Sequence, residues 1–369
     1  MKQFTNKVTA ALLMILALLL SACGGTPTGT GTTGTGAGTV ATTAAATTVP
    51  TEAATEAATA VEMETADAAE TATTDAAETT TAGARGATTA TAGAAAGGTL
   101  GTDDNPIVMS FVPSGDTQEI VASGEEIAEM ITEKTGLTVE ANVATSYAAV
   151  VEAMGAGNAQ VGWLNTFSYV LAHERYDVDV SLATVRRGQS FYTGQIIANA
   201  ASGINTLADI TGKTMCYVDP LSTSGYIIPR IELAAAGVDI EALESQEAGS
   251  HPNVVTAVYN GDCDAGATFV DARTAIAEQF PDVNDKVKVV AESEEIPNDT
   301  VSFAQDVPDD IREQIVTALQ EIANEEAGKA ALEQVYEIEG FQEVDDSFYD
   351  EFRTKLDASG INIEELVGE

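Results

Sequence analysis

From residue 107 the chain alternates short apolar runs with amphipathic ones, and near residue 206 the alternation starts again. Residues 107–112 read as a strand, Pro113-Ser114-Gly115-Asp116 as a turn, and 117–135 as a helix stopped by Gly136, since a glycine takes the left-handed backbone that ends helices at little cost. A strand at 137–143, a helix at 146–155 capped by Ser146 and a strand at 160–164 complete β-α-β-α-β, the pattern of a mostly parallel sheet covered by helices. A helix at 167–173 and strands at 181–184 and 191–199 follow. The second round has helical turns at 207–210, strands at 214–218, 264–269 and 287–291, and helices at 226–236, 252–259 and 272–278. Two α/β lobes are therefore expected, with 103–195 in the first, 196–293 in the second, and 294–369 returning to the first. Amphipathic helices at 308–324, 326–336 and 347–356 would cover that first lobe.

An internal repeat supports a common design. Laying 147–163 over 251–267 without gaps pairs Val150 with Val254, Val151 with Val255, Ala153 with Ala257, Gly157 with Gly261 and Gly162 with Gly266. Both copies read as helix, glycine turn and strand. Tyr147 and His251 then stand at equivalent helix starts, which in open α/β sheets face the ligand crevice.

The first hundred residues have a different character. Residues 1–23 carry Lys2 and Lys7, an apolar run from 10 to 20, and Leu20-Ser21-Ala22-Cys23, a signal peptide ending as a lipobox, with Cys23 as the lipidated residue. A plain secretory signal is the alternative. Residues 24–102 are a Thr-, Ala- and Gly-rich tract with no Phe, Trp, Tyr or Lys, so they cannot bury a core and are expected to be a disordered tether with a reach of roughly 50 Å. O-glycosylation would suit its many threonines. An exported protein is oxidised, and Cys216 and Cys263 are an even pair at the starts of two strands; a disulfide is expected, with two buried thiols as the alternative.

The formal charge is −41. The leader contributes +2 and the tether −7, which leaves −36 on the remainder. Such a segment has no basic patch for nucleic acid or an anionic membrane surface. Any anion must be caught by dipoles and neutral donors. Asp219-Pro220-Leu221-Ser222-Thr223-Ser224-Gly225-Tyr226 offers these, because it stands where a strand gives way to a helix and first-turn N–H groups lack partners. Pro229 cannot continue a helix begun at Ser222, so a short turn and a restart are expected. Ser222 also fits the plainer role of an N-cap.

That stretch, with Gly249-Ser250-His251 and Asn260-Gly261-Asp262-Cys263-Asp264-Ala265-Gly266-Ala267-Thr268, resembles the phosphate/phosphite/phosphonate-binding proteins of ABC importers. The lipobox, Ser202-Gly203-Ile204, Leu207-Ala208-Asp209 and Gly212-Lys213 fit the same family, and the likeness spans about 107–350. It implies a type II periplasmic-binding-protein fold, two lobes closing on a phosphorus oxyanion. The resemblance further implies that Ser222, Thr223, Ser224 and Gly225 hold the oxygens, that Tyr147, Tyr192 and His251 contact the ligand, and that Asp271 follows the Asp-Ala-Gly-Ala-Thr strand as a ligand carboxylate. Phe269-Val270-Asp271 departs from the commoner aromatic-Asp-Asp run. Tyr147 and Tyr192 as core aromatics, His251 as a helix cap and Asp271 as an N-cap are the plainer roles. Arg186, Arg187 and Arg230 are assigned to neutralising an acidic surface.

The expected function is an extracytoplasmic lipoprotein, monomeric and held to the membrane only by its lipid, that delivers phosphonate, phosphite or phosphate to a permease and its ATPase. No cofactor, metal or nucleic acid is expected. Binding of another oxyanion such as a sulfonate, or a sensor or enzyme on the same fold, is the alternative. Against an enzyme stand the two histidines, His173 and His251, and the lack of G-x-S-x-G or H-E-x-x-H. Gly212-Lys213-Thr214 is no P-loop, since Leu207 stands where its first glycine belongs.

Overall fold

The computed structural model describes residues 98–360; the signal peptide, Cys23 and the tether as far as residue 97 lie outside them. The first lobe opens with β1 (Ile107–Phe111), α1 (Thr117–Thr135), β2 (Val139–Val143), α2 (Tyr147–Gly155), β3 (Val161–Leu164), α3 (Thr166–Tyr176) and β4 (Asp179–Val185). The second holds β5 (Phe191–Asn199), β6 (Thr214–Tyr217), α4 (Ile228–Ala235), β7 (Glu244–Glu247), α5 (His251–Asn260), β8 (Ala265–Phe269), α6 (Val283–Lys286) and β9 (Val287–Pro297). The chain then returns to the first lobe with β10 (Thr300–Phe303), α7 (Asp309–Ile322), α8 (Glu326–Tyr336), β11 (Gly340–Glu343) and α9 (Asp350–Ser359). The sheets run β11-β4-β10-β3-β1-β2 and β7-β6-β8-β5-β9.

Both sheets are mixed rather than mostly parallel. β1 lies parallel between β2 and β3 and β6 parallel to β8, as the alternation predicts, and β6 also pairs in parallel with β7, a strand the alternation does not contain. However, β10 is antiparallel to β3 and β4, and β5 is antiparallel to β8 and β9. A strand arriving from the other lobe enters at the end where the βαβ strands finish, so it must run against them. The crossovers fall at 186–190 and 298–299, and β5 and β9 therefore enter the second lobe whole, where the alternation divides them at 195 and 293.

Local chemistry fixes the elements that frame the cleft. Asp116 caps α1 by accepting from the N–H groups of Gln118 and Glu119, and Gly136 ends it with φ 74°. Ile120, Ile127 and Ile131 on its inner face are buried, each worth about 1.5–3 kcal/mol by area removed from water. Gly124 lets the helix approach β1, because a Cβ there would stand 3.0 Å from the Phe111 ring. Leu100 packs against the core and Thr138 N–H donates to Gly101 O at 2.8 Å, so residues 98–102 are attached to the first lobe, although composition places them in the tether.

Candidate functional site

A cavity of about 750 Å³ lies between the lobes, at the carboxyl ends of β1, β3 and β6 and over the crossovers. Ser222, Thr223, Ser224, Tyr147, Tyr192 and His251 all line it. Gly225 and Asp271 do not.

The Ser-Thr-Ser turn is built by its neighbours. Ser222 N–H donates to Asp219 O at 2.9 Å and Ser222 Oγ accepts from Gly225 N–H at 3.1 Å, which opens a π turn over Thr223–Ile227. Regular helix begins at Ile228 with Pro229 in its first turn, the restart that proline requires. Among the described residues, the N–H groups of Thr223 and Ser224 have no partner in the protein. Gly225 sits behind the turn rather than in the cleft. A Cβ there would stand 2.4 Å from Val218 Cγ2 and 2.7 Å from Ser222 Oγ, so this glycine lets the turn pack on the strand instead of touching a ligand.

Thr223 has a second task. Its Oγ1 accepts from Asn165 Nδ2 at 2.8 Å and from Phe167 N–H at 2.9 Å, both in the first lobe. A hydroxyl has two acceptor positions and one proton, so with both acceptors engaged it can only donate. Further bonds join the lobes beside it: Asn165 Nδ2 to Leu221 O at 2.8 Å, Tyr147 N–H to Asp219 Oδ2 at 3.3 Å, and His251 N–H to Ser114 O at 3.1 Å.

The other donors are neutral, Tyr147 and His251 buried and Tyr192 partly so. Tyr147 begins α2 next to its cap Ser146, and its hydroxyl is enclosed without a hydrogen-bond partner. Burial, then the Asp219 carboxylate, pushes its phenol well above the usual range, and burial followed by Asp299 does the same for Tyr192. Both remain donors. His251 begins α5, and its Nδ1 stands 2.8 Å from Thr268 Oγ1. Burial, then the charge of Arg186, lowers it to about 3, so the ring is neutral. In the tautomer in which the Thr268 hydroxyl donates to Nδ1, Nε2–H is free to bind an anion.

Asp271 is corrected by the structure. It sits outside the cavity with φ 70°, and its Oδ2 accepts from Arg187 Nη1 at 2.5 Å in a half-exposed ion pair. The carboxylate that lines the cleft is Asp299, and Arg186 Nη2 donates to its Oδ2 at 2.7 Å. Arg186 is thus a cleft residue, not a surface charge. Arg230 lies away from the cleft, but its side chain is largely buried rather than a surface charge, over the Tyr226 ring and 2.6 Å from Glu241. One signal was available for this pair: Arg186 follows the strand that ends the chain's first passage through the first lobe and Asp299 the last strand of the second, and a chain crossing twice between lobes must pass the floor of the cleft.

Cys216 and Cys263 are bonded, with Cα atoms 5.8 Å apart. Among the described residues no cluster of His, Cys, Asp and Glu is arranged to hold a metal, and no helix is long and apolar enough to cross a membrane.

Comparison with known proteins agrees with this geometry. The Phosphate-import protein PhnD of Mycolicibacterium smegmatis (strain ATCC 700084 / mc(2)155) is 36% identical over 175 residues, which are 44% of this chain and 54% of that protein. The Phosphonates-binding periplasmic protein of Escherichia coli (strain K12) is 25% identical over 209 residues, 55% of this chain and 62% of that one. The chain thus spans a little over half the length of these curated relatives. Among solved structures, a binding protein component of an ABC phosphonate transporter from Pseudomonas aeruginosa has a TM-score of 0.61 at 23% identity, covering 70% of this chain and 90% of its own. PhnD1 of Prochlorococcus marinus, in complex with methylphosphonate, also has a TM-score of 0.61, at 15% identity, covering 67% and 96%. These likenesses show the fold, α/β and two-lobed, of the type II periplasmic-binding-protein kind. The family described as ABC transporter, phosphonate, periplasmic substrate-binding protein matches residues 109–349, well over half of the sequence, and to that family the chain belongs.

Proposed function

We propose that this protein captures a small phosphorus oxyanion, a phosphonate, phosphite or phosphate, between its lobes and hands it to the permease and ATPase of an ABC importer. In this reading it is a monomer outside the cytoplasmic membrane, tethered through lipid on Cys23, and it carries out no chemistry on its ligand. The observation that carries the reading is the cleft's donor set. Two partnerless N–H groups, the proton of the Thr223 hydroxyl and the enclosed Tyr147 hydroxyl converge on one cavity, and buried donors without acceptors are costly unless a ligand supplies them. Ser222 and Ser224 complete the set from the same turn, with Tyr192 and His251 lining the same cavity.

Calorimetric titration with phosphate, phosphite, methylphosphonate and sulfate tests this, with phosphorus NMR to follow turnover. The phosphorus anions should bind unchanged, and Ser224→Ala should weaken them by about 1–3 kcal/mol, the usual worth of a hydrogen bond to a charged group. Sulfate binding alone would move the assignment to another oxyanion, and conversion of a ligand would move it to an enzyme.

A further inference from the structure

The cleft contains a cation–carboxylate pair that phosphorus-anion capture alone does not require. Arg186 and Asp299 lie on the two crossovers, so their contact at 2.7 Å joins the chain's two passages between the lobes. Their side chains are 18% and 16% exposed. Arg186 Nε is buried and donates to nothing. Arg187, the other arginine at the cavity, is over half exposed and engaged by Asp271 and Glu337. With His251 neutral, Arg186 is the one desolvated positive charge among the described residues that line the cleft.

We propose that Arg186 is a ligand-binding residue that, by already neutralising Asp299, makes the cleft select phosphorus oxyanions without a cationic substituent over aminoalkylphosphonates. The proposal rests on the capture reading above and narrows its substrate class. An anion docked on the Ser-Thr-Ser turn can accept from Nε–H, one of the donors left over when Nη2 turns to Asp299, and guanidinium suits such oxygens better than a neutral donor. An ammonium in the same space meets a guanidinium in place of a free carboxylate, and like charges in a desolvated site repel. Asp219 offers no substitute, because it stands behind the turn, outside the cavity lining, with its oxygens turned to the N–H groups of Leu221 and Tyr147. Asp116, Glu119, Glu295 and Glu333 also line the cavity but are exposed, where an ion pair is worth little, and Glu337 is half-exposed and 3.8 Å from Arg187 Nη2. Asp299 acts through Arg186, as its positioning residue.

The alternative role for the pair is a staple between the crossovers, a task Asn298 already performs with bonds from Nδ2 to Thr184 O and Gln189 O, both at 3.0 Å. Selectivity separates the two. The full-length protein is titrated with inorganic phosphate, methylphosphonate and 2-aminoethylphosphonate. The aminoalkyl ligand is expected to bind at least about tenfold more weakly than methylphosphonate, as a buried like-charge contact costs at least one such factor. Arg186→Gln should weaken phosphate and methylphosphonate while improving 2-aminoethylphosphonate, so that the ratio reverses. Arg186→Gln combined with Asp299→Asn should lose that gain, and Arg186→Lys should keep the wild-type order. The unaltered protein reports the ratio by itself, so a variant that fails to fold does not shelter the idea. Equal binding of both phosphonates, or equal weakening of both by Arg186→Gln, overturns the role of Arg186 and leaves the capture reading standing. If no phosphorus anion binds at all, both fall.

Discussion

The helix–turn–strand unit occurs once in each lobe, as α2–β3 and as α5–β8, and the two copies use their glycines in the same way. Gly157 (φ 73°) and Gly261 (φ 82°) take the left-handed turn after the helix. Gly162 and Gly266 leave room in the strand for the helix above: a Cβ would stand 2.3 Å from Met154 Sδ in one and 2.6 Å from Val254 Cγ1 in the other. Each helix also begins with a side chain that lines the cleft. What differs is how the copies are held and what they present. The second has a disulfide beneath it and a neutral imidazole at its tip; the first has no disulfide and presents a phenol. One scaffold therefore faces the cleft from both sides, and the residue it presents at N1 differs between them.

The disulfide makes the largest difference. Cys216 and Cys263 are 47 residues apart, and the chain-entropy account gives about 4 kcal/mol for closing such a loop. Cys216→Ala with Cys263→Ala should lower unfolding stability by about that amount, and amides of the second lobe should lose protection from hydrogen exchange more than those of the first. Equal loss in both lobes would mean that the lobes unfold as one unit and that the comparison has no thermodynamic content.

The residues at N1 should part next, under acid. An unfolded histidine binds a proton below about pH 6.5, whereas His251 in the fold stays neutral down to about 3. In that window the unfolded state holds more protons, so stability falls as the pH drops. The contribution is about 3 kcal/mol by pH 4, at 1.36 kcal/mol per pH unit. Denaturant unfolding between pH 7 and 4 should show a shallower acid slope for His251→Gln, and the wild-type slope for Tyr147→Phe, whose phenol does not titrate there. Identical slopes for His251→Gln and wild type would place the acid sensitivity elsewhere.

Much of this layout was legible in the sequence, because its causes are local. The helix over 117–135, its stop at Gly136, the Ser146 cap and the restart near Pro229 each follow from one or two residues. The strands that escaped notice had no local cause. β7 is Glu-Ser-Gln-Glu and fully exposed, β11 is Gly-Phe-Gln-Glu at a sheet edge, and β10 is four buried residues paired with β3 and β4 on either side. The site divides in the same way. Ser222, Thr223 and Ser224 announce themselves at a helix start, whereas Arg186 and Asp299 are 113 residues apart and meet only because two crossovers share one floor.

The glycines of the repeat come next in size. Overpacking a fitted core costs about 1–3 kcal/mol. Gly266→Ala should fall toward the upper end, because Val254 Cγ1 and Val258 Cγ2 at 2.9 Å are branched, stiff at χ1 and seated on the helix. Gly162→Ala meets mainly the sulfur of Met154, which has rotamers to spare, and should cost about 1 kcal/mol. Chemical denaturation of both variants gives the order, and a larger loss from Gly162→Ala would break the equivalence drawn between the copies.

The smallest effect belongs to Asp271, just beyond the strand of the second copy. Its partner Arg187 is 56% exposed and its own side chain 45%, so the ion pair is screened and worth about 0–1 kcal/mol. Asparagine keeps the left-handed backbone that φ 70° demands and removes only the charge. Asp271→Asn should therefore change phosphate affinity by less than about fivefold, which 1 kcal/mol allows, and should leave the preference for phosphorus anions over sulfate unaltered. Arg187 also touches Glu337 of the first lobe at 3.8 Å, so a small salt-dependent change common to all ligands is the expected sign of a loosened contact between the lobes. A selective change, with sulfate gaining on phosphate, would instead bring the Asp271 carboxylate to the ligand and remove the distinction between a buried, specific Asp299 and a peripheral Asp271.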